Sequence, residues 1–436
     1  AWVDVVEYAG PLQTYLRDLT GWASARDYWF PNIRSRSGAI LVLSLTLYPY
    51  VYLLARAAFR ELPSSGQDVA RSLGLGHVRQ FWRVSLPQAR PAIAAGTAIV
   101  MMETLNDFGT VDYFAVQTLT TGIFSLWLES YNPGGAAQLA LLAVAIVAVL
   151  LWVEKIGRRK ARFNKSGRQM ACIQPQPVTR GVGLLALTFC SLPIVIGFLI
   201  PLIVLVTPAL SDSAVWRGVG LWRAAGHSVL LGGISAVLVV GLSAVMVLGL
   251  GTARPVMRKF LLTFTTLGYA FPGAVLGLGI LTPLALFDNW VSDLIYATFD
   301  LDPGLILTGS VAALIVAYGV RFFAIGVGAT EAGLAVISTN IPLAARSLGS
   351  PPRSLFLRIY LPLMRGSLAS ALVLVFVDTV KELPATLLLR PFNFDTLSTH
   401  IYGQASLENF NAAAPAALLI VTLSLGAIFL LAKAHR

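Results

Sequence analysis

The chain has 436 residues, 56% of them hydrophobic and only 12% charged, with a mean hydropathy of +0.74. Soluble domains carry about 25% charged residues, so this composition excludes a water-soluble globule and indicates an integral membrane protein. The net charge of +11 does not point to nucleic acid, because the basic residues cluster between apolar runs, where the positive-inside rule puts them.

In chain order, the sequence opens with Glu7-Tyr8-Ala9-Gly10-Pro11. Apolar runs follow at 38–59, 91–111 and 135–153. Each is roughly 20 residues and, at about 1.5 Å per residue, crosses a hydrocarbon core. A polar loop at about 60–90 joins the first two. The segment 154–181 is strongly basic (Lys155, Arg158, Arg159, Lys160) and holds Gln174-Pro175-Gln176-Pro177, so it reads as a cytoplasmic linker. Six further runs come after it, at 182–206, 228–250, 261–287, 304–325, 366–389 and 412–431. A second polar loop, about 327–365, precedes the fifth of these. Asp288, Asp293, Asp300 and Asp302 fall on the side opposite the linker, and the C-terminus falls on its side. Cys172 and Cys190 have neither disulfide-framework nor metal-site spacing.

The two polar loops are copies of one another. The first reads Asp68-Val69-Ala70-Arg71-Ser72-Leu73-Gly74, then Phe81, then Val84-Ser85-Leu86-Pro87. The second reads Leu343-Ala344-Ala345-Arg346-Ser347-Leu348-Gly349, then Phe356, then Ile359-Tyr360-Leu361-Pro362 at the same spacing. Each predicts a short helix, a turn at a left-handed Gly, and a second helix ended by the Pro. Val69 and Leu73 share a helical face, as do Ala344 and Leu348. Such a helix suits a groove in a partner, and two copies suit a two-fold partner.

The expected architecture is an all-α polytopic membrane protein of two parallel six-span repeats. The first repeat is 1–153, the linker 154–181, and the second repeat 182–436. Glu7-Tyr8-Ala9-Gly10-Pro11 resembles Gly268-Tyr269-Ala270-Phe271-Pro272 at the third run of the second half. On that match the first repeat is truncated at its N-terminus, with two spans expected upstream of Ala1.

The loops closely resemble the EAA motif of importer-type ABC permeases: Glu-Ala-Ala, three residues, Gly, nine residues, Ile-x-Leu-Pro. The matching positions are Asp68-Val69-Ala70, Gly74 and Leu86-Pro87, then Leu343-Ala344-Ala345, Gly349 and Leu361-Pro362. Asp68 replaces the Glu of the motif and Leu343 replaces the acid of the second copy, which makes the two partner contacts unequal. The segments Met102–Gly109, Val377–Thr386 and Leu389–Leu397 look like fused-repeat permeases of ferric-iron uptake systems. The resemblance implies a multi-pass subunit of the bacterial inner membrane with a cytoplasmic C-terminus. It implies as partners two copies of a cytoplasmic ABC ATPase, a periplasmic ferric-iron-binding protein and the lipid bilayer. ATP and Mg would sit on the ATPase, with no cofactor and no permanent metal on this chain. Asp68, Ala70, Arg71, Gly74, Leu86, Pro87, Ala344, Ala345, Arg346, Gly349, Leu361 and Pro362 would form the coupling loops. Thiamine or a polyamine is the alternative cargo.

Ionisable residues inside apolar runs cost about 2.5–3.5 kcal/mol each at the bilayer centre and so suggest function. Glu103 and Asp378 occupy matching depths in the two halves, expected near mid-membrane. Asp107 and Glu382 follow one turn later, and Lys381 follows Asp378. Two readings stand. The residues line a path for a hard cation, which carboxylate oxygens suit, or they pair internally, Lys381 with Asp378 and the other acids with backbone or Arg. Pro384 should break its helix after Glu382. No Walker-type glycine loop is present. A polytopic membrane transferase would show an acidic metal cluster on one loop, and Asp288, Asp293, Asp300 and Asp302 are too scattered for one. An ion-gradient carrier would leave the duplicated loop unexplained.

Overall fold

The computed structural model describes residues 2–60, 62, 64–159, 179–218, 220–338 and 340–434, so most of the basic linker lies outside the described residues. Among the described residues the secondary structure is helical throughout, without strands. Among the described residues eight helical stretches are long and apolar enough to cross a membrane, which makes this a multi-pass all-α membrane protein. By packing, the chain divides into two compact units, Ala1–Thr121 with Leu141–Val204, and Gly122–Ala140 with Leu205–Arg436.

In the first unit, α1 (Trp2–Val6) and α2 (Pro11–Thr20) are separated at Gly10. A Cβ there would stand 2.4 Å from the Asp4 carbonyl oxygen, and Pro11 suits the first turn of α2, where its missing N–H is not needed. Helix α3 (Arg36–Arg60) leads to the short helices α4 (Ser64–Ser72) and α5 (His77–Gln80), then to α6 (Leu86–Asn106) and α7 (Gly109–Tyr113). Helices α3 and α6 pack together. They approach closely at Gly96, where a Cβ would lie 2.8 Å from the Val51 Cα; small residues permit such close helix contacts in membranes. Val3, Ile33, Ala39 and Phe114 form a small core. Helices α8 (Leu119–Phe124) and α9 (Pro133–Arg159) follow, of which Gly122–Ala140 belongs to the second unit. Beyond the linker, α10 (Arg180–Ile194), a π-turn over Val195–Leu199 and α11 (Ile200–Ser211) make one continuous stretch. Its Gly197 approaches the Leu45 carbonyl of α3.

The second unit contains α12 (Leu221–Gly249), α13 (Pro255–Ala270), α14 (Gly273–Phe299), α15 (Val311–Val336), α16 (Asn340–Ser347), α17 (Pro352–Leu355), α18 (Leu361–Val380), α19 (Pro384–Leu389), α20 (Leu397–Ser406) and α21 (Phe410–Ala434). Helix α12 buries Leu231, Ser235, Val239 and Ser243 along one face and leaves Val237, Leu242 and Val245 exposed. Apolar side chains facing outward are what lipid contact requires. Helices α12, α15 and α18 meet in a core of Leu231, Val239, Leu314, Tyr318, Phe322 and Val375.

The spans differ from the sequence expectation in definite ways. The run at 261–287 is two helices, because Phe271 is extended (ψ 133°) and Pro272 precedes α14 with ψ 141°; the residue before a proline disfavours the α region. The run at 304–325 starts late, at α15. Gly304 and Gly309 have φ of +64° and +72°, and Ser310 caps the helix through Ala312 N–H. Asp288 and Asp293 are not in a loop but inside α14. Asp288 is buried, and its carboxylate accepts from Leu307 N–H at 3.0 Å, which ties the following turn to the helix. Helix α6, expected as a span at 91–111, stops at Asn106 and is not among the eight; it carries Gln88, Arg90 and Glu103.

Candidate functional site

The two repeated loops adopt the same local structure. Gly74 and Gly349 both have φ +76°, as their place after a short helix predicts. In the first copy Gly74 N–H donates to Arg71 O at 2.9 Å and Leu75 N–H to Ala70 O at 3.0 Å. In the second, Gly349 N–H donates to Arg346 O and Ser350 N–H to Ala345 O, both at 3.0 Å. This is the paired C-terminal cap of a Schellman motif. Ser72 and Ser347 repeat a further bond, each hydroxyl donating to the carbonyl three residues back at 2.8 Å. Ala70 and Ala345 turn inward and are buried. Asp68, Val69, Arg71 and Leu73 are exposed in and just after α4, as are Leu343, Ala344, Arg346 and Leu348 in and just after α16. Leu348 is 85% exposed and Leu73 74%, so each loop presents an apolar face that its own unit does not cover.

Pro87 and Pro362 do not end the second helix of the loop, contrary to the sequence reading. A π-turn at Phe81–Ser85 carries α5 into α6, and another at Phe356–Tyr360 carries α17 into α18. Ser85 and Leu86 keep right-handed helical angles, as do Tyr360 and Leu361. The widened turn removes the need for the hydrogen bond that proline cannot donate. Each loop is therefore joined rigidly to the helix behind it.

That helix ends at a second shared feature, a break that carries the charged residues. Helix α6 ends at Asn106 and α7 begins at Gly109; α18 ends at Val380 and α19 begins at Pro384. The expected break at Pro384 is present. Glu103 and Asp378 therefore stand in the last turns of α6 and α18, next to the breaks. In the first unit Asp107 accepts from Thr110 N–H at 3.0 Å and Val111 N–H at 3.1 Å, and its backbone carbonyl accepts from the Thr120 hydroxyl at 2.8 Å. Glu103 is half-buried one turn earlier. In the second unit Glu382 accepts from Ala385 N–H at 3.3 Å, and its carbonyl accepts from the Ser398 hydroxyl at 2.8 Å. Both acids thus cap the helix that follows the break, a use of carboxylates at helix N-termini.

Asp378 and Lys381 pair at 2.9 Å. Glu382 pairs with Arg321 of α15 at 3.4 Å, with both side chains buried. Arg321 Nε and Nη1 make no hydrogen bond among the described residues. Tyr318, one turn away on α15, shares a hydrogen bond with Thr386, and the Thr386 hydroxyl donates to Glu382 O at 2.7 Å. Sequence reasoning missed Arg321, although an arginine inside an apolar run is the same kind of signal as the acids. The pairings of the internal-pairing alternative are therefore present around Asp107, Asp378 and Glu382. Among the described residues no three His, Cys, Asp or Glu side chains converge to hold a metal ion.

This polytopic helical chain carries two like loops, each running on into a helix that breaks at charged residues. Residues 28–162 and 245–435 match the model of the binding-protein-dependent transport system inner membrane component family, and the chain belongs to that family. It is 29% identical to the Fe(3+)-transport system permease protein FbpB 2 of Haemophilus influenzae over 91% of this chain and 76% of that protein. This bears out the resemblance carried by the segments around Glu103 and Asp378. The molybdenum transport system permease protein ModB of Escherichia coli (strain K12) is 26% identical over 28% of this chain, and the matched region spans 58% of ModB. Among solved structures, a bacterial alginate ABC transporter in complex with an alginate pentasaccharide-bound periplasmic protein is similar over 59% of this chain and 95% of its own, at 18% identity and a TM-score of 0.49.

Proposed function

We propose that the chain is the permease subunit of an ATP-driven importer that takes ferric iron from a periplasmic binding protein and releases it in the cytoplasm. The observation that carries this reading is the duplicated loop: one cap geometry, twice, each with an outward apolar face. Two such faces match two copies of a cytoplasmic ATPase, the source of ATP hydrolysis and the holder of ATP and Mg. The cargo assignment is supported by the similarity to an Fe(3+)-transport permease over most of the chain. On this reading the repeats are 1–153 and 182–436, joined by the linker 154–181 on the cytoplasmic side.

The test is uptake of radiolabelled ferric iron into proteoliposomes that hold the chain, its ATPase and the binding protein. ATP-dependent accumulation that excess thiamine or polyamine does not compete is the expected result. Competition by either would reassign the cargo, and accumulation driven by an ion gradient without ATP would replace the mechanism. In this assay Glu103→Gln and Asp378→Asn separate the two readings of the charged residues. If the acids line the path, each variant loses about tenfold or more in uptake per folded transporter, since an ion path needs transient oxygen ligands. If they are braces, uptake per folded molecule is unchanged and the yield of folded protein falls.

Orientation follows from the basic loops. In a background with Cys172 and Cys190 replaced by Ser, a cysteine at Ser166 should resist a membrane-impermeant thiol reagent applied to spheroplasts. A cysteine at Leu305, in the exposed turn between α14 and α15, should react. The opposite labelling pattern inverts the topology.

A further inference from the structure

The end of the second unit that carries the second loop holds two adjoining cavities that the transport reading does not use. One, of about 750 Å³, is lined by Gly249, Arg258, Leu334, Arg346, Phe356 and Tyr360. The other, of about 480 Å³, is lined by Pro255, Arg258, Lys259, Leu262 and Thr263 of α13. Arg258 lies in both. Its Nη2 stands 3.8 Å from Glu331, and its side chain is 54% exposed, too loose a contact to neutralise the site. Lys259 and Arg346 are exposed, and Arg254 precedes α13. The basic side chains thus outnumber the one acid that faces them. Leu262, one turn after Arg258 on the same face of α13, continues this lining, and Leu334, Phe356 and Tyr360 give the first cavity apolar walls. The positive cluster therefore shares both cavities with apolar side chains.

We propose that this place binds an anionic phospholipid. The phosphate headgroup sits against Arg258, Lys259 and Arg346, and an acyl chain lies against the apolar walls at Leu262, Leu334 and Phe356. A soluble anion would use the charge and leave the apolar walls of the cavities uncovered, whereas a lipid uses both. Basic pockets between membrane helices are suited to anionic headgroups, and each Lys or Arg near the surface strengthens such binding about fivefold. Arg346, Phe356 and Tyr360 belong to the second repeated loop, so a bound lipid touches the element whose far face is exposed for a partner. The inference rests on the membrane character of the chain and not on its cargo.

The test is native mass spectrometry of the purified full chain in detergent, offered equal amounts of phosphatidylglycerol and phosphatidylcholine of the same acyl length. Wild type should retain phosphatidylglycerol at least tenfold better. Arg258→Gln with Lys259→Gln should cut that preference by about 25-fold, from two residues at about fivefold each. Both positions are exposed, so the variant should stay folded, and the charge-keeping swap Arg258→Lys with Lys259→Arg should keep the preference. Equal retention of the two lipids by wild type, or a preference untouched in the Gln variant, overturns the proposal. Displacement of phosphatidylglycerol by excess inorganic phosphate alone would assign the site to a free anion and also overturn it. Loss of the preference in the charge-keeping swap would show that charge is not what the site reads.

Discussion

Gly349→Val, and its counterpart Gly74→Val, will each reduce retention of the ATPase by about tenfold while leaving the amount of membrane-inserted protein unchanged. The reason lies in the backbone. Both glycines have φ +76°, and nothing lies within 4 Å of a Cβ added at either. Crowding is therefore not the mechanism. A β-branched residue in the left-handed region is strained by about 1–2 kcal/mol or more, and the loop relieves that strain by abandoning the turn. The bonds from Gly349 N–H to Arg346 O and from Ser350 N–H to Ala345 O go with it, and so does the direction of Leu343 and Leu348. Gly349→Asn should do less damage, because Asn enters this region more readily. Pull-down of the ATPase and uptake per transporter, measured side by side, check the effect. Normal retention and full uptake in the Gly74→Val, Gly349→Val double variant would remove the loops from the coupling role.

The loops were legible because their information is local. Ala-Arg-Ser-Leu-Gly names a helix end and a left-handed residue within five positions, and its repetition at fixed spacing marked it as a device. The π-turns before Pro87 and Pro362 were not legible. Proline at the start of a membrane helix reads as an ending, and only the observed right-handed angles at Ser85 and Tyr360 reveal that the helix runs through. The broken helices were half legible. Pro384 announced its break, whereas Phe271 and Pro272 sat in a run apolar enough to pass as one span. At Asn106 no proline or glycine stands at the break itself; Asp107 makes it by capping the next helix. Apolar runs report what faces lipid or core, and they say little about where the backbone stops being helical inside them. Arg321 was the largest omission. Its partner Glu382 is distant in sequence and on another helix, and no spacing rule joins them.

Glu382→Gln will lower the stability of the second unit by about 3–5 kcal/mol, the usual result when one partner of a buried ion pair is removed and the other stays charged. Arg321 has little else to turn to. It is 6% exposed, its Nε and Nη1 make no hydrogen bond among the described residues, and its guanidinium faces the start of α14. The pair is also held by absence of a side chain. A Cβ at Gly273 would lie 2.5 Å from both Arg321 Nη1 and Glu382 Oε1, so Gly273→Ala should force the two apart and approach the effect of Glu382→Gln. Glycine is used here for close approach, since the position does not have a left-handed φ. The sharper comparison is Arg321→Met with Glu382→Met. Removing both charges leaves nothing unpaired, and replacing a buried pair by apolar residues is often neutral or stabilising. If the pair is only a brace, the double variant should regain most of the thermal stability lost in Glu382→Gln and transport normally per folded molecule. Recovered stability without recovered transport would give Glu382 a part in moving the cargo beyond capping α19. Wild-type thermal stability in Glu382→Gln alone would mean that Arg321 does not depend on its partner, and would sink the account of the break as a charged brace.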